Sequence, residues 1–180
     1  MTTSLRVGRV LRASTRSFVV GCRVMRENIP AFGALVSATS PTDNGIIYGL
    51  IYDVGIKDDV FVRQLVTADL PEEVVRDQRE NHWAPIEVSV LAVGCYEDGG
   101  IRHCLLRQPP VTLDWLHHCE PHAVITFTQR FDYFRLVLEA PGVPTGDLLS
   151  ANSRYSFPSR LILERMCFSA STAAISDFRY

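Results

Sequence analysis

Residues 7–24 read VGRVLRASTRSFVVGCRV, and the fold turns on this stretch. In its second half Phe18, Val20, Cys22 and Val24 fall on one face and Ser17, Val19, Gly21 and Arg23 on the other, the period of two that marks a half-buried β-strand. The first half is less regular. Leu5, Val7 and Leu11 share a face interrupted by Arg9, with Gly8 and Val10 opposite. Between the two runs, Ala13-Ser14-Thr15-Arg16-Ser17 suits a short hairpin connection, because hydroxyl side chains compete for the backbone hydrogen bonds a helix needs. Gly8 and Gly21 weaken a strand unless the sheet bends sharply or a second backbone comes close, and the corners of a small closed barrel meet both conditions. The stretch therefore predicts an opening hairpin onto which later strands close, with Phe18, Val20, Cys22 and Val24 facing inward.

Further along, residues 34–38 form a short strand approached through Pro30 and Gly33, and Asn44-Gly45 ends a turn cluster, SPTDNG. Residues 46–54, IIYGLIYDV, are apolar on both faces: Ile46, Tyr48, Leu50, Tyr52 and Val54 on one, Ile47, Gly49 and Ile51 on the other. Such a strand is central and covered on both sides. Alternation returns in residues 86–96, IEVSVLAVGCY, followed by the hairpin signal Glu97-Asp98-Gly99-Gly100 and a partner strand at 101–106. Pro109-Pro110 stops that pairing, since proline cannot donate to a ladder. A closing strand is expected at 123–128.

Elsewhere the period is helical. Asp69-Leu70-Pro71-Glu72-Glu73 resembles a helix start, which predicts a polar surface helix over 71–81 as an insertion in the barrel; residues 59–68 stay open between helix and strand. Phe131, Phe134 and Leu138 stand at helical spacing, and further helices are expected at 145–153 and 158–168, before a polar tail at 169–180. The predicted fold is mainly β: a small closed antiparallel β-barrel of about six strands over residues 1–128, with a helical insertion and a helical C-terminal extension over 129–180, α+β overall.

A chain of 180 residues is long enough to bury a substantial core without metals or disulfides. No apolar run approaches the roughly 20 residues of a membrane span and no signal peptide opens the chain, so the expected location is the cytoplasm, with no membrane contact. The five cysteines, Cys22, Cys95, Cys104, Cys119 and Cys167, contain no Cys-x-x-Cys pair and read as small buried hydrophobes in a reducing compartment. Net charge is only −2, yet residues 1–26 carry six arginines and no acid, and residues 43–98 carry twelve acids against four bases. This asymmetry fits a basic surface facing nucleic acid, a head-to-tail contact between subunits, or arginines that simply solvate the outer face of the first strands.

Catalytic signatures are missing. Lys57 is the only lysine and Asp58 follows it, which excludes a P-loop; there is no Gly-x-Ser-x-Gly elbow, no His-Glu-x-x-His and no dinucleotide fingerprint. The densest chemistry lies in His117-His118-Cys119-Glu120-Pro121-His122, with His103-Cys104 nearby in sequence. Imidazole and thiolate at such spacing can bind zinc, with Glu120 as a base, although the spacing matches no strong zinc template and a loop of solvated histidines is the simpler explanation. Asp114 and Trp115 read as a turn and a core anchor. Tyr48 and Tyr52 have the character of base-stacking platforms, but they share a face with Ile46 and Leu50, which points to core packing.

Taken together, VGRVLRASTRSFVVGCRV, the approach from Pro30 to Gly33 into ALVSA, IIYGLIYDV, VSVLAVG and LLRQPP resemble the HAS-barrel family, named for the barrel shared by HerA-type DNA-translocating ATPases and the N-terminal domains of ATP-synthase α and β subunits. The resemblance spans roughly residues 5–128 and rests on Gly8, Gly21, Gly33, Gly49 and Pro109-Pro110. It implies a barrel that helps organise a ring and offers a docking surface to a partner nuclease, with no catalytic residues and no cofactor of its own. The ATPase domain of HerA-type proteins has no counterpart in this sequence. The first expectation is thus a non-enzymatic assembly or docking module that associates with itself or with a HerA-type ATPase or nuclease. A second is a nucleic-acid-binding barrel using Arg6, Arg9, Arg12, Arg16 and Arg23. A third is a metal-binding protein using His117, His118, Cys119 and His122.

Overall fold

Hydroxyl groups close the first hairpin. In the computed structural model, which describes residues 5–23, 30–41, 45–56, 73 and 85–156, β1 (Arg6–Ala13) runs antiparallel to β2 (Ser17–Arg23). The Ser14 amide donates to the Ser17 carbonyl at 2.8 Å, and the Ser14 hydroxyl oxygen accepts from the Ser17 and Arg16 amides at 3.1 and 3.3 Å. Phe18, Val20 and Cys22 are buried in the interior, as the alternation predicts.

β1 departs from strict alternation. Its register shifts between Arg6 and Gly8 against one neighbour and between Val10 and Arg12 against the other. Each bulge adds a residue and reverses the phase of the strand beyond it. Val7 and Val10 are consequently both buried, whereas Leu11, expected to share the face of Val7, is 44% exposed and Leu5 is 62% exposed.

The remaining strands are β3 (Leu35–Thr39), β4 (Ile46–Ile56), β5 (Pro85–Glu97), β6 (Gly100–Arg102) and β7 (Trp115–His118). They form one antiparallel sheet in the order β2-β1-β7-β3-β4-β5-β6, and β2 also pairs with β5. That pairing closes six strands into a barrel and leaves β6 outside it. Val10, Phe18, Val20, Val36, Ile51, Val88, Val90 and Leu116 fill the interior, which is a packed core and not a channel.

A second core lies on the outer face of the barrel. Leu35, Tyr48, Leu50, Leu91 and Val93 project from β3, β4 and β5 and pack against Phe127, Tyr133, Val137 and Leu148. Those partners belong to or adjoin three helices, α1 (Pro121–Phe127), α2 (Phe134–Leu138) and α3 (Thr145–Ser156). β4 is apolar on both sides for this reason: Ile47 and Ile51 enter the barrel, and Tyr48 and Leu50 meet the helices. Val54, grouped in sequence with Tyr48 and Leu50, packs against the barrel core instead, because the register shifts between Ile51 and Asp53. α3 is clamped at Gly33, whose φ is +83° and whose Cβ, were there one, would stand 2.5 Å from the Ala151 Cβ. Buried Asn152 donates from Nδ2 to the Gly33 carbonyl at 3.1 Å and accepts from the Tyr133 hydroxyl at 2.8 Å.

Two strand boundaries differ from the sequence expectation. Residues 123–128 are not a closing strand: 121–127 form α1, opened by Pro121 in its first turn. The Thr126 and Thr128 hydroxyls bond to carbonyls four residues back, at 2.9 and 2.8 Å, so these β-branched residues satisfy themselves inside a helix. The strand that joins β1 to β3 in the barrel is β7, in a stretch expected to be turn and loop. The partner strand expected over 101–106 ends at Arg102, because the chain then leaves the β5 edge and buries Leu106 in the barrel core, with its amide 3.3 Å from the Thr15 carbonyl. The hairpin before it is as expected: Asp98 and Gly99 carry φ of 51° and 79°, the two positive values of a type I′ turn. Val24, Asn44, the segment 59–68, the helix over 71–81 apart from Glu73, and everything expected beyond Ser156 fall outside the described residues. No helix among the described residues is long and apolar enough to cross a membrane.

Candidate contact surface on the barrel wall

β1 and β7 lie side by side, with Arg6 opposite His117 and Arg9 opposite Trp115. Leu116 enters the barrel at full burial, so Trp115, one residue earlier on the strand, stands on the outer wall. Trp115 is therefore not the core anchor its size suggested. The Arg6 and Arg9 guanidiniums lie 4.7 and 3.9 Å from the centre of its ring. Arg9 also donates from Nη1 to the Leu113 carbonyl at 2.7 Å, and Leu113 itself is 61% exposed. Each such cation–π contact at an exposed site contributes only about 0.5–1 kcal/mol. The stack therefore does little for the fold while holding two cations and an indole in place on an outward surface.

The other arginines go elsewhere. Arg12 reaches across β2 to Glu87 on β5, with Nη2 3.2 Å from Oε2. Arg16 lies exposed in the hairpin turn, where its carbonyl accepts the Ala92 amide at 2.8 Å. Arg23 pairs through its backbone with Pro85. Among the arginines of the block whose side chains are described, Arg6 and Arg9 are brought together around a common group, whereas Arg12 and Arg16 are not.

The histidine and cysteine cluster is also dispersed. His117 and His118 are neighbours on a strand and point to opposite faces. Burial, then the charge of Arg6, pushes the His117 pKa down, and burial does the same for His118. Cys119 packs into the helix-covered core, its amide bonded to the Leu35 carbonyl at 3.1 Å, and burial pushes its thiol up to about 12 against a lowering hydrogen bond from Ser37. His122 is exposed on α1. Among the described residues no group of three or more His, Cys, Asp or Glu is placed to hold a metal ion. Tyr48 is 5% exposed, with its ring centre 4.9 Å from that of Phe127, and is a core residue; Tyr52 is half-buried and packs against the same cluster.

One feature escapes any motif. A groove of about 610 Å³ opens between the β5–β6 hairpin and the connection into α2, lined by Tyr96, Arg102, His103, Arg130, Asp132 and Arg135 among others. His103 forms part of its base. Its Nε2 donates to the Phe127 carbonyl at 3.1 Å, its ring lies 4.5 and 5.3 Å from those of Phe127 and Tyr133, and Arg135 donates to its carbonyl at 3.1 Å. Arg102 is paired with Asp98 at 3.0 Å and Arg130 with Asp132. Arg102 comes from β6 and Arg130 and Arg135 from the stretch leading into and through α2, so no single motif in the sequence announces them.

No protein-family profile matches the chain, and no curated protein matches it.

Proposed function

We propose that the protein is a non-enzymatic assembly or docking module whose β1–β7 wall takes a protein partner. The observation that carries this reading is the outward-facing Arg6–Trp115–Arg9 stack. Tryptophan and arginine are among the residues most enriched at the energetic centres of protein interfaces, and here they already stand together, Arg9 held also by the Leu113 carbonyl. Exposed Leu113, at 61%, borders the stack and adds apolar area. The resemblance to HAS barrels supports the same role, since those barrels organise rings and dock partners without catalytic groups. The partner class is a second copy of the chain, or a HerA-type ATPase or its nuclease.

Light scattering on the full chain, alone and co-expressed with any ATPase or nuclease encoded beside its gene, tests the proposal. The expected result is a closed oligomer or a stable complex, lost in Arg9→Glu and weakened at least tenfold in Trp115→Ala, with the far-ultraviolet circular dichroism of both variants unchanged. A strict monomer that binds none of these partners overturns it. So does salt-dependent binding to single-stranded oligonucleotides that Arg9→Glu abolishes, because the wall is then a nucleic-acid surface.

A further inference from the structure

The Cys95 and Cys104 sulfurs lie 3.8 Å apart, in van der Waals contact, nine positions apart in sequence. Both sites are held by the fold. Cys95 is on β5 opposite Arg102, and the tight Asp98-Gly99 turn fixes that register. Cys104 follows two residues later, in a segment anchored on both sides: Arg135 donates to the His103 carbonyl and the Leu106 amide to the Thr15 carbonyl. A disulfide needs about 2.05 Å between sulfurs, so closure requires a movement of under about 2 Å, within reach of side-chain rotation. The pair is asymmetric in access, since Cys95 is 4% exposed and Cys104 is partly open to solvent.

We propose that Cys95 and Cys104 form a thiol–disulfide exchange site that reacts with small-molecule disulfides and closes into an intramolecular disulfide. Cys104, the accessible member, loses its proton to solvent and attacks one sulfur of the small disulfide. The S–S bond of the reagent breaks, one thiolate leaves and is protonated, and a mixed disulfide remains on Cys104. The Cys95 sulfur then attacks that of Cys104, 3.8 Å away, and its proton passes through solvent to the departing thiolate. The second thiolate leaves. Two protein thiols are oxidised and one reagent disulfide is reduced to two thiols. Cys95 takes the resolving role because it is buried and Cys104 is the accessible sulfur; burial, followed by the proximity of Cys104, also pushes the Cys95 thiol up to about 12, which keeps it from reacting first. The closed bond ties the segment carrying His103, one side of the arginine-lined groove, to the barrel wall.

The test uses the full reduced chain incubated with oxidised glutathione, then alkylated and analysed by mass spectrometry. The expected product has lost about 2 Da, carries no glutathione, and yields a peptide joining Cys95 to Cys104, with the remaining three of the five thiols still alkylated. Dithiothreitol reverses it, and the closed form unfolds at a higher temperature than the reduced form. Cys95→Ser stops at a stable glutathione adduct on Cys104, and Cys104→Ser leaves Cys95 unmodified over the same time. A wild-type product that retains glutathione on Cys104, or keeps every thiol free for alkylation, overturns the proposal without reference to either variant.

Discussion

His103 shows what a single residue owes to its surroundings. In sequence it is only the neighbour of Cys104, because the Phe127 and Tyr133 rings that enclose it and the carbonyl that accepts its Nε2 proton arrive from much further along the chain. Burial holds its pKa below the ordinary 6.5, outweighing the raising effects of the Phe127 carbonyl and Asp132. His117 and His118 are shifted in the same direction. The unfolded chain therefore takes up protons at these sites before the folded chain does. Their contribution to stability is complete above the ordinary value of 6.5 and is lost as pH falls through it toward the lower folded-state values. Urea unfolding is expected to show a lower midpoint near about pH 5 than near about pH 7.5, and His103→Gln to reduce that difference. An unchanged pH dependence in the variant would place the titration at the other histidines.

At the scale of elements, the second strand was legible and the first was not. Phe18, Val20 and Cys22 keep strict alternation, whereas the bulge between Arg6 and Gly8 in β1 puts Val7 and Val10 on one side despite their odd spacing. Gly8 lies between those valines, and a Cβ there would stand 2.4 Å from the Gly21 carbonyl oxygen and 2.8 Å from the Cys22 Cβ. Gly8→Ala is accordingly expected to destabilise the protein by about 1–3 kcal/mol through overpacking between β1 and β2. Leu11→Thr, on the exposed side of the same strand, is expected to cost under about 1 kcal/mol. Equilibrium denaturation of both variants checks the contrast, and equal losses would contradict the assigned faces. The stretch Val124-Ile125-Thr126 has the composition of a strand and yet is helical, since Pro121 opens a helix and burial of Phe127 against Tyr48 and Tyr133 decides the outcome. Local propensity is a weak term beside that burial.

For the whole molecule, the helices complete a core that the barrel begins. Leu35, Tyr48, Leu50, Leu91 and Val93 are all buried because the segment from Phe127 to Leu148 packs over them. A fragment ending at residue 128, the barrel boundary suggested by the sequence, leaves this face in water. It is expected to aggregate or to lose cooperative unfolding, as followed by tryptophan fluorescence and sedimentation, while the full chain does not. A soluble fragment with a sharp thermal transition would show that the barrel stands alone. Among the described residues the β1–β7 wall carries no helix of this kind and presents Arg6, Arg9 and Trp115 outward instead.

Alternation, turn chemistry and glycine placement are properties of short segments, and by themselves they determined a barrel of antiparallel strands opened by a serine-closed hairpin, with a doubly apolar β4 at its centre. The candidate surface had no such local signature. Arg6 and Arg9 are separated from Trp115 by more than a hundred residues, and only the pairing of β1 with β7 makes them neighbours. The dispersal of His117, His118 and Cys119 has the same origin: they are adjacent in the chain, but a strand sends successive side chains to opposite faces, so proximity in sequence became separation in space.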